Sequence, residues 1–394
     1  MANIAIETFD IDVGANGSTY ILTNAAVGTD AAFVRLNSGT RKSSGGPIAS
    51  TASIGPDMGN VGIELSGINT LTFHRSDTTT VKLIGEVWRY TGPPGGEHEF
   101  VVRAHTAVTI STGNASGSQA VVGIVNEDKC VPFMTGSVTS QASNSSWDQA
   151  TIAVSMDGSG NVVASRNNTG GEITVYVDVV EFTGAAWNIG HGRSASHDSA
   201  SETVALNTHV DGVSGSTFDT GDWSTALIEA SMEGDSSETG LADTLALVYP
   251  DTSTSQVIFS VTDADAAAQN DGVGWVHVMQ NSSLIVTRAL DTNVNEGDGS
   301  YGTIAWPSGA NTTRGADQIG LEWYTSTNGT GTAHMRGSLN ARIIDPTGTI
   351  QHWVHRTGNT VIVRYGVVDV SGLVSQNATI TGVSSITGVS SITL

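Results

Sequence analysis

One strand-like segment occurs twice in this chain, and its repetition limits the possible folds more than any other feature. The segment reads VKLIGEVWRYTG at 81–92 and ITVYVDVVEFTG at 173–184, and the two copies align without a gap. Identical residues stand at Val87/Val179, Thr91/Thr183 and Gly92/Gly184, and similar ones at Glu86/Asp178 and Tyr90/Phe182. β-branched and aromatic residues before a glycine that can take positive φ are typical of a strand that runs into a turn. The repetition therefore predicts a tandem array of one β unit.

Further landmarks recur in a fixed order around these copies. A degraded third copy is GSLNARIIDPTG at 337–348. Strand-like segments that run into Ser/Thr/Gly loops occur at 31–39, 130–137, 226–234 and 302–309. Helix-or-turn starts followed by alternating apolar residues occur at 58–65, 147–154, 241–248 and 315–323, with Asn60, Asp148, Asp243 and Asp317 at one place in the frame. This spacing predicts units of about 75–100 residues, which fits an antiparallel sandwich or jelly roll of about seven or eight strands.

The composition also favours strands over helices. The chain has 47 glycines and only 14 % charged residues, so Ser, Thr and Asn make up much of its polar surface. These residues compete with the backbone hydrogen bonds of a helix. The predicted fold is all-β, with tandem antiparallel β-sandwich or jelly-roll-like repeats and an extended C-terminal β tail.

The landmarks divide the chain into four sandwich units and a tail. The units are predicted at 1–105, 106–200, 201–282 and 283–358. The third is divergent, because the acid- and alanine-rich DADAAAQND at 263–271 replaces a landmark. The remaining residues, 359–394, hold a last strand and the repeat ITGVSS at 380–385 and 386–391.

Both ends of the chain carry strand patterns that bear on assembly. The pattern NIAIETFDIDVG at 3–14 resembles the strand that follows each unit, so one copy is spare. A spare strand either caps its own domain or completes the sheet of a neighbouring protomer. The uncharged ITGVSS repeat is predicted to add β structure to an assembly, which favours a homo-oligomer, and the alternative is a terminal linker.

The charge and the termini narrow the functional class. The net charge is −22 and no basic run occurs, so binding to the phosphates of a nucleic acid is not expected. The N-terminal segment MANIAIETFD lacks a signal-peptide pattern, and no apolar run approaches ~18 residues, so membrane insertion is not expected. Cys130 is the single cysteine, which excludes an internal disulfide. The chain is expected to fold in a cytoplasm.

The sequence contains no catalytic motif of a known mechanism. No GxSxG elbow, P-loop, GxGxxG before a helix, HExxH or CxxC is present. No catalytic residue, cofactor site or metal site is predicted, and the chain is not expected to be an enzyme. Six histidines fall in one repeated strand region and are interpreted as hydrogen-bonded residues at sheet ends rather than metal ligands: His98, His105, His191, His277, His352 and His355.

Two weaker patterns point to ligands. Asp291, Asn293 and Asn295 alternate as oxygen donors before Glu296, Gly297 and Asp298, which resembles a calcium loop. The glycine is displaced by one position and no later bidentate acid follows, so a polar hairpin loop is the preferred interpretation. Four tryptophans lie near the recurring turn, and they are interpreted as core or interface anchors rather than sugar platforms: Trp88, Trp187, Trp275 and Trp353.

Strand-level phrases resemble a viral protein class. KCVPFMTG at 129–136, VVEFTGAAW at 179–187 and EFVVRAHTAV at 99–108 are similar to uncharacterised structural proteins of tailed bacteriophages, especially marine ones. The resemblance implies a virion component with β-sandwich domains, and it carries no functional residue across to this chain. The expected function is a non-enzymatic structural protein on the virion exterior, assembled in the host cytoplasm among capsid or tail subunits.

Within that class, a capsid-associated decoration, cement or fibre role is favoured. The alternative is a tail or receptor-binding adhesin that recognises host surface glycans. A secreted carbohydrate-binding module or a depolymerase is a third possibility, but the repeat is too long for the rungs of a parallel β-helix, which is the usual depolymerase scaffold.

Overall fold

The computed structural model describes residues 3–38, 46–47, 55–142, 147–194, 201–234, 246–260, 272–294, 300–328, 339–345, 348–354 and 360–374. The predicted all-β fold is confirmed, because strands dominate and every strand pair is antiparallel. The helical elements are single turns, among them α1 (Pro56–Gly59) and α2 (Trp147–Ala150). No described helix has the length and apolar character needed to cross a bilayer.

Four groups of strands follow one another along the chain. The first holds β1 (Ile4–Val13), β2 (Thr19–Ile21), β3 (Ala32–Leu36), β4 (Gly46–Pro47), β5 (Gly62–Gly67), β6 (Thr70–His74) and β7 (Val81–Tyr90). The second holds β8 (Val101–Ile110), β9 (Ser116–Ala120), β10 (Cys130–Thr139), β11 (Ala153–Met156), β12 (Asn161–Ser165) and β13 (Ile173–Glu181).

The third group holds β14 (Asn188–Arg193), β15 (Ser201–Ala205), β16 (Ala226–Met232), β17 (Leu247–Asp251), β18 (Gln256–Ser260) and β19 (Gly274–Gln280). The fourth holds β20 (Ile285–Val294), β21 (Ser300–Ala305), β22 (Ile319–Asn328), β23 (Leu339–Asp345), β24 (Thr349–Val354) and β25 (Thr360–Asp369). We call these groups units 1 to 4.

The same pairing scheme recurs in every unit. If the six main strands are lettered a to f in chain order, one sheet has the order a-f-c and the other b-e-d. In unit 1 these strand groups are β1-β7-β3 and β2-β6-β5, and in unit 3 they are β14-β19-β16 and β15-β18-β17. β5 also pairs with β10 at Gly62 and Gly136, so the b-e-d strands of unit 1 and the a-f-c strands of unit 2 form one six-stranded sheet. We call the a-f-c sheet the inner sheet and the b-e-d sheet the outer sheet. Among the described residues each unit has six main strands, with β4 as a seventh in unit 1, against the seven or eight expected. The jelly-roll description stays a prediction.

The two sheets differ in how their side chains are buried. The outer strands β6, β12 and β18 alternate between buried and half-buried residues, which is the expected period of a sheet with one solvated face. The inner strand β16 is buried at every position, and β10 at all but one. The inner sheets therefore pack on both faces, against their own outer sheet and against something else.

The second face of the inner sheets packs into a core that all four units share. Each unit has its own sandwich core between its two sheets. A fifth cluster, the central core, combines inner-strand residues of all units, such as Trp88, Phe133, Met279 and Val368. Leu321 of unit 4 also donates its backbone N–H to Glu86 of unit 1. The four sandwiches thus close into a ring around the central core.

Strand pairing divides the chain differently from the landmarks. The boundary at 105/106 falls inside β8, and the boundary at 200/201 separates β14 from its partner β19. The boundary at 358/359 separates β25 from β20 and β22, with which it pairs. The reason is that the first and last strands of a unit pair with each other, so neither can be recognised from local sequence similarity alone.

In unit 4 the landmarks fall one or two strands earlier in the unit than the sequence alignment predicts. Segments 81–92 and 173–184 do occupy the same place, as the f strands β7 and β13. The supposed third copy at 337–348 contains β23, which is a d strand, whereas the f strand of unit 4 is β25. Asp317 lies in the single turn Ala316–Gln318 before the c strand β22, so it does not share a place with Asn60, which precedes the d strand β5.

The N-terminal strand pairs within its own unit. Ile4 stands opposite Tyr90 and Val13 opposite Val81, so β1 forms the edge of the inner sheet of unit 1. β25 likewise pairs within unit 4. The segments 263–271 and 380–391 lie outside the described residues, and so does most of the loop after Asn293.

Candidate functional site

The charged residues of the inner strands form one layer beside the central core. At the same place in each inner sheet, three residues stand opposite one another on the a, f and c strands. In unit order these triplets are Thr8–Glu86–Arg35, His105–Asp178–Phe133, His191–His277–Glu229 and Arg288–Gly366–Glu322. Most of these residues lie two positions along their strand from a member of the central core, as Glu86 does from Trp88 and His277 from Met279, and Phe133 belongs to that core itself. We call this set the polar layer.

Three acids of the polar layer join neighbouring units through backbone hydrogen bonds. Val34 donates its N–H to Asp178 at 2.8 Å, Leu321 donates to Glu86 at 2.8 Å, and Ile228 donates to Glu322 at 2.9 Å. Each donor is the third residue of a c strand, which forms the edge of its inner sheet. An edge N–H buried without a partner is costly, and a carboxylate is a strong acceptor for it.

The fourth equivalent position lacks both parts of this contact. The third residue of the c strand in unit 2 is Pro132, which has no N–H to donate. The f strand of unit 3 carries His277 at the place of Glu86 and Asp178. The donor and the acceptor are therefore absent together at the junction of units 2 and 3, and no buried N–H or carboxylate is left without a partner by the change.

Arg35 connects unit 1 with units 3 and 4. Its Nε donates to Oε2 of Glu229 at 2.9 Å, and Nη2 donates to the carbonyl of Ile228 at 3.3 Å. Nη1 donates to the carbonyl of Leu321 and lies 4.0 Å from Glu86. Burial opposes the charge of Arg35, but Glu229 and Glu86 outweigh that effect and raise the pKa of the guanidinium. Burial is also the main reason why the pKa of Glu86 is raised, against the opposite effect of Arg35.

His105 forms a charge-assisted pair within the polar layer. Its Nδ1 lies 2.6 Å from Asp178 and its Nε2 lies 2.8 Å from the carbonyl of Thr29 in unit 1. Because both neighbours accept hydrogen bonds, the imidazolium with two N–H groups fits the site. Burial opposes this charge, but the contact with Asp178 outweighs it and raises the pKa of His105 to about 9.

His191 and His277 form a buried pair in unit 3. Their Nδ1 atoms are 2.9 Å apart, and Nε2 of His191 lies 3.0 Å from the carbonyl of Asp128. A carbonyl only accepts, so Nε2 of His191 carries the proton and its Nδ1 accepts from Nδ1–H of His277. Nε2 of His277 makes no hydrogen bond of regular geometry among the described residues, and the backbone of Val154 lies near this ring. Burial lowers the pKa of His191 to about 4 and lowers that of His277 well below its usual value.

The other histidines lie outside this layer or outside the described residues. His98 accepts from the amide of Asn281 at 3.0 Å, as expected for a hydrogen-bonded histidine at a sheet end. His352 is buried on β24 beside Trp323, and His355 lies outside the described residues. In the described part of the chain, no group of three His, Cys, Asp or Glu side chains is placed to hold a metal ion. Of the calcium-like pattern, Asp291 lies on β20 and pairs with Val363 of β25. Asn295, Glu296 and Asp298 lie outside the described residues.

Grooves run along the junctions between neighbouring units. Between units 1 and 2 the groove has a volume of about 90 Å³, because Tyr176 fills it and stacks on His74 at 4.5 Å between ring centroids. Between units 3 and 4 the equivalent groove has about 230 Å³. Arg364 occupies the place of Tyr176 there, because it lies two residues before Gly366 just as Tyr176 lies two residues before Asp178. Its guanidinium is 4.2 Å from the ring centroid of Tyr249.

The tryptophans named by the sequence all lie in cores or contacts. Trp88 and Trp187 belong to the central core, and Trp353 packs edge-on against Tyr301. Trp275 is buried on β19 with Arg193 at 5.7 Å from its ring. Trp223 was not singled out by the sequence, yet it lines the groove between units 3 and 4.

The polar layer was also missed, although one signal for it was present. The alignment of the repeated segment already placed an acid of one copy opposite an acid of the other, at Glu86 and Asp178. An acid in the middle of an apolar strand indicates a buried partner. No protein-family model matches the chain, and no curated protein matches it either.

Proposed function

We propose that this chain is a non-enzymatic structural protein of a bacteriophage particle, assembled in the host cytoplasm and displayed on the virion exterior. The observation that carries the proposal is that the buried charged residues form hydrogen bonds between units. Arg35, Glu86, Asp178, Glu229 and Glu322 all bond to backbone or side chains of another unit. Buried charged residues that link one β-sandwich to the next are what we expect in a structural component of an assembly.

The resemblance of three strand-level phrases to tailed-phage structural proteins supplies the viral part of the proposal. The net charge of −22 supports display on an exterior, since like charge keeps neighbouring surfaces from sticking without specific contacts. A capsid-associated decoration, cement or fibre role is the form that we favour.

The place where the chain leaves the ring supports attachment through the C-terminal segment. The backbone N–H of Asn3 donates to the carbonyl of Leu373, and Leu373 is fully buried in the central core. The described residues therefore end, at Val374, beside the central core, and the ITGVSS repeat follows in the sequence at 380–391. In our proposal this segment pairs with capsid or tail subunits or with other copies of the chain, and the ring faces outward.

A tail or receptor-binding adhesin is the second candidate. The groove between units 3 and 4 favours it, because an aromatic and arginine-lined depression of about 230 Å³ has the size for part of a surface glycan. A decoration protein and a receptor binder differ in copy number, since a decoration protein follows the capsid lattice and a receptor binder is scarce.

Quantitative mass spectrometry of purified particles tests the proposal. The expected result is that the protein is present in virions, in a copy number tied to the capsid lattice. A low copy number, together with inhibition of infection by the free protein, would replace the decoration role with the adhesin role. Absence of the protein from purified virions would overturn the proposal in both forms.

A further inference from the structure

The groove between units 3 and 4 differs from its counterpart between units 1 and 2 in what fills it. Tyr176 occupies the counterpart and packs on Gly62, where an added Cβ would meet the tyrosine ring at 2.2 Å. In the groove between units 3 and 4 the f strand carries Arg364 instead, and the d strand carries Tyr249. The aromatic side chain of Tyr176 thus closes the groove between units 1 and 2. The groove between units 3 and 4 stays open beside the cation of Arg364.

Arg364 is an arginine with unused hydrogen-bonding capacity. Its Nε is buried and has no hydrogen-bond partner among the described residues, and its guanidinium lies on the ring of Tyr249. Arg288 in the same groove is the opposite case. It donates from Nε to Glu322 at 2.7 Å and from Nη1 to the carbonyl of Trp223 at 2.6 Å. The charge of Glu322 is therefore matched by Arg288, whereas the part of the chain that the structure describes supplies no carboxylate to Arg364.

The rest of the lining is part apolar and part hydroxyl-bearing. Trp223, Val248 and Pro250 provide apolar surface, and Ser224 and Thr252 provide hydroxyl groups. A guanidinium recognises a carboxylate through paired N–H donors, and aromatic faces pack against the C–H surface of a sugar ring. A volume of about 230 Å³ has room for one sugar residue rather than a longer chain.

We propose that this groove binds a carboxylate-bearing sugar residue, with the carboxylate on Arg364 and one face of the sugar ring on Trp223. The site goes beyond the proposed structural role, because it holds whether the ring decorates a capsid or sits on a tail. Binding offsets the unmatched charge of Arg364, so a neutral sugar of the same size gains much less. The hydroxyl groups of Ser224 and Thr252 add contacts that a simple carboxylate does not make.

The experiment is saturation-transfer NMR of the full chain with D-glucuronate, compared with D-glucose and with acetate. We expect D-glucuronate to bind with a Kd of about 1–10 mM, and D-glucose and acetate to bind at least about tenfold more weakly. Arg364→Gln is expected to weaken D-glucuronate binding about tenfold or more. The matched control is Arg193→Gln, since Arg193 also lies over an aromatic ring but outside the groove.

A second variant covers the case in which Arg364→Gln fails to fold. Thr252 is exposed in the turn after β17 and lines the groove, so Thr252→Trp fills its mouth without touching a core. This variant is expected to abolish binding with an unchanged melting temperature. No D-glucuronate binding, equal binding of acetate or D-glucose, or binding that survives in Arg364→Gln or Thr252→Trp would overturn the proposal. None of these results depends on the presence of the protein in virions, so the two proposals fail separately.

Discussion

Nε of Arg35 donates a hydrogen bond of 2.9 Å to Oε2 of Glu229, although the two residues are 194 positions apart and belong to units 1 and 3. Both side chains are almost completely buried. The pair lies in the polar layer, where the buried charges of one unit bond to another unit. This contact joins units that are not consecutive in the chain, so it depends on the closed ring.

Removal of Arg35 is expected to destabilise the whole ring. Arg35→Met leaves Glu229 buried without its cation and removes a hydrogen bond from the carbonyls of Ile228 and Leu321, so we expect a loss of about 3–5 kcal/mol in the free energy of unfolding. Urea denaturation followed by tryptophan fluorescence measures it. Arg193→Met is the matched control, because Arg193 is exposed, and it should stay within about 0.5 kcal/mol. A change of similar size in both variants would contradict the assignment.

The buried pair of His191 and His277 is expected to make the free energy of unfolding depend on pH. The pKa of His191 is lowered to about 4 in the folded protein, against about 6.5 in an unfolded chain. Between these values the unfolded chain binds more protons, so the free energy of unfolding falls as the pH drops from about 6.5 to about 4. Other carboxylates also titrate at the lower end of this window, so the test compares variants.

The informative variant is His277→Gln, which keeps an N–H that can donate to Nδ1 of His191 but loses one titrating ring. Denaturation at a series of pH values between 7 and 4 is expected to show a shallower loss of stability in this variant than in the unchanged protein. His74→Gln serves as the control, because His74 is partly exposed and pairs with Glu64 at 3.1 Å. An equal slope in all three proteins would rule out the pair as an acid-sensitive element.

His105 is expected to have the opposite dependence on pH. Its pKa is raised to about 9, so the folded state binds the extra proton between about 6.5 and about 9. Its contribution is complete below about 6.5 and is lost as the pH rises through about 9. NMR titration of the ring should show a midpoint near 9. In Asp178→Asn, which keeps an oxygen for the N–H of Val34, the midpoint should fall to about 6.5 or below, whereas Glu64→Gln should leave it near 9.

The contact between the sheets of units 1 and 2 requires glycine at position 136. Gly136 has φ +126°, and an added Cβ would lie 1.9 Å from the carbonyl oxygen of Val61. Gly113→Ala is the control, because Gly113 has φ +79° but no atom within 4 Å of the added Cβ. We expect the control to cost about 1–2 kcal/mol from backbone strain, and Gly136→Ala to cost more. Equal melting temperatures for the two variants would show that β5 and β10 do not approach so closely.

Local sequence was enough to predict the strands but not the place of each strand in its unit. The copies at 81–92 and 173–184 resemble each other because both are f strands with one face on a sandwich core and one on the central core. β19 and β25 fill the same place with His277 and Gly366 at the layer position, so their likeness to β7 is lost. The partners that decide these residues belong to other units, which a strand-by-strand comparison does not contain.

The polar layer could be predicted only in part for the same reason. Glu86 and Asp178 were visible as paired acids, but their acceptor role depends on Leu321 and Val34 in neighbouring units. Pro132 occupies the position at which the other units have an N–H donor. This difference can be explained only when the packing of the four units is known. Sequence periodicity predicts which residues of one strand are buried. It does not predict which edge-strand N–H group donates to which carboxylate of a neighbouring unit.

Hydrogen exchange at the amide of Leu321 tests the closed ring most directly. This N–H is on an edge strand of unit 4, and it donates at 2.8 Å to Glu86, which is 235 positions away in unit 1. If the ring is closed, the Leu321 amide exchanges as slowly as the amides of the central strand β25, and it exchanges faster in Glu86→Ala. Exchange of Leu321 at the rate of an exposed edge amide in the unchanged protein would contradict the account.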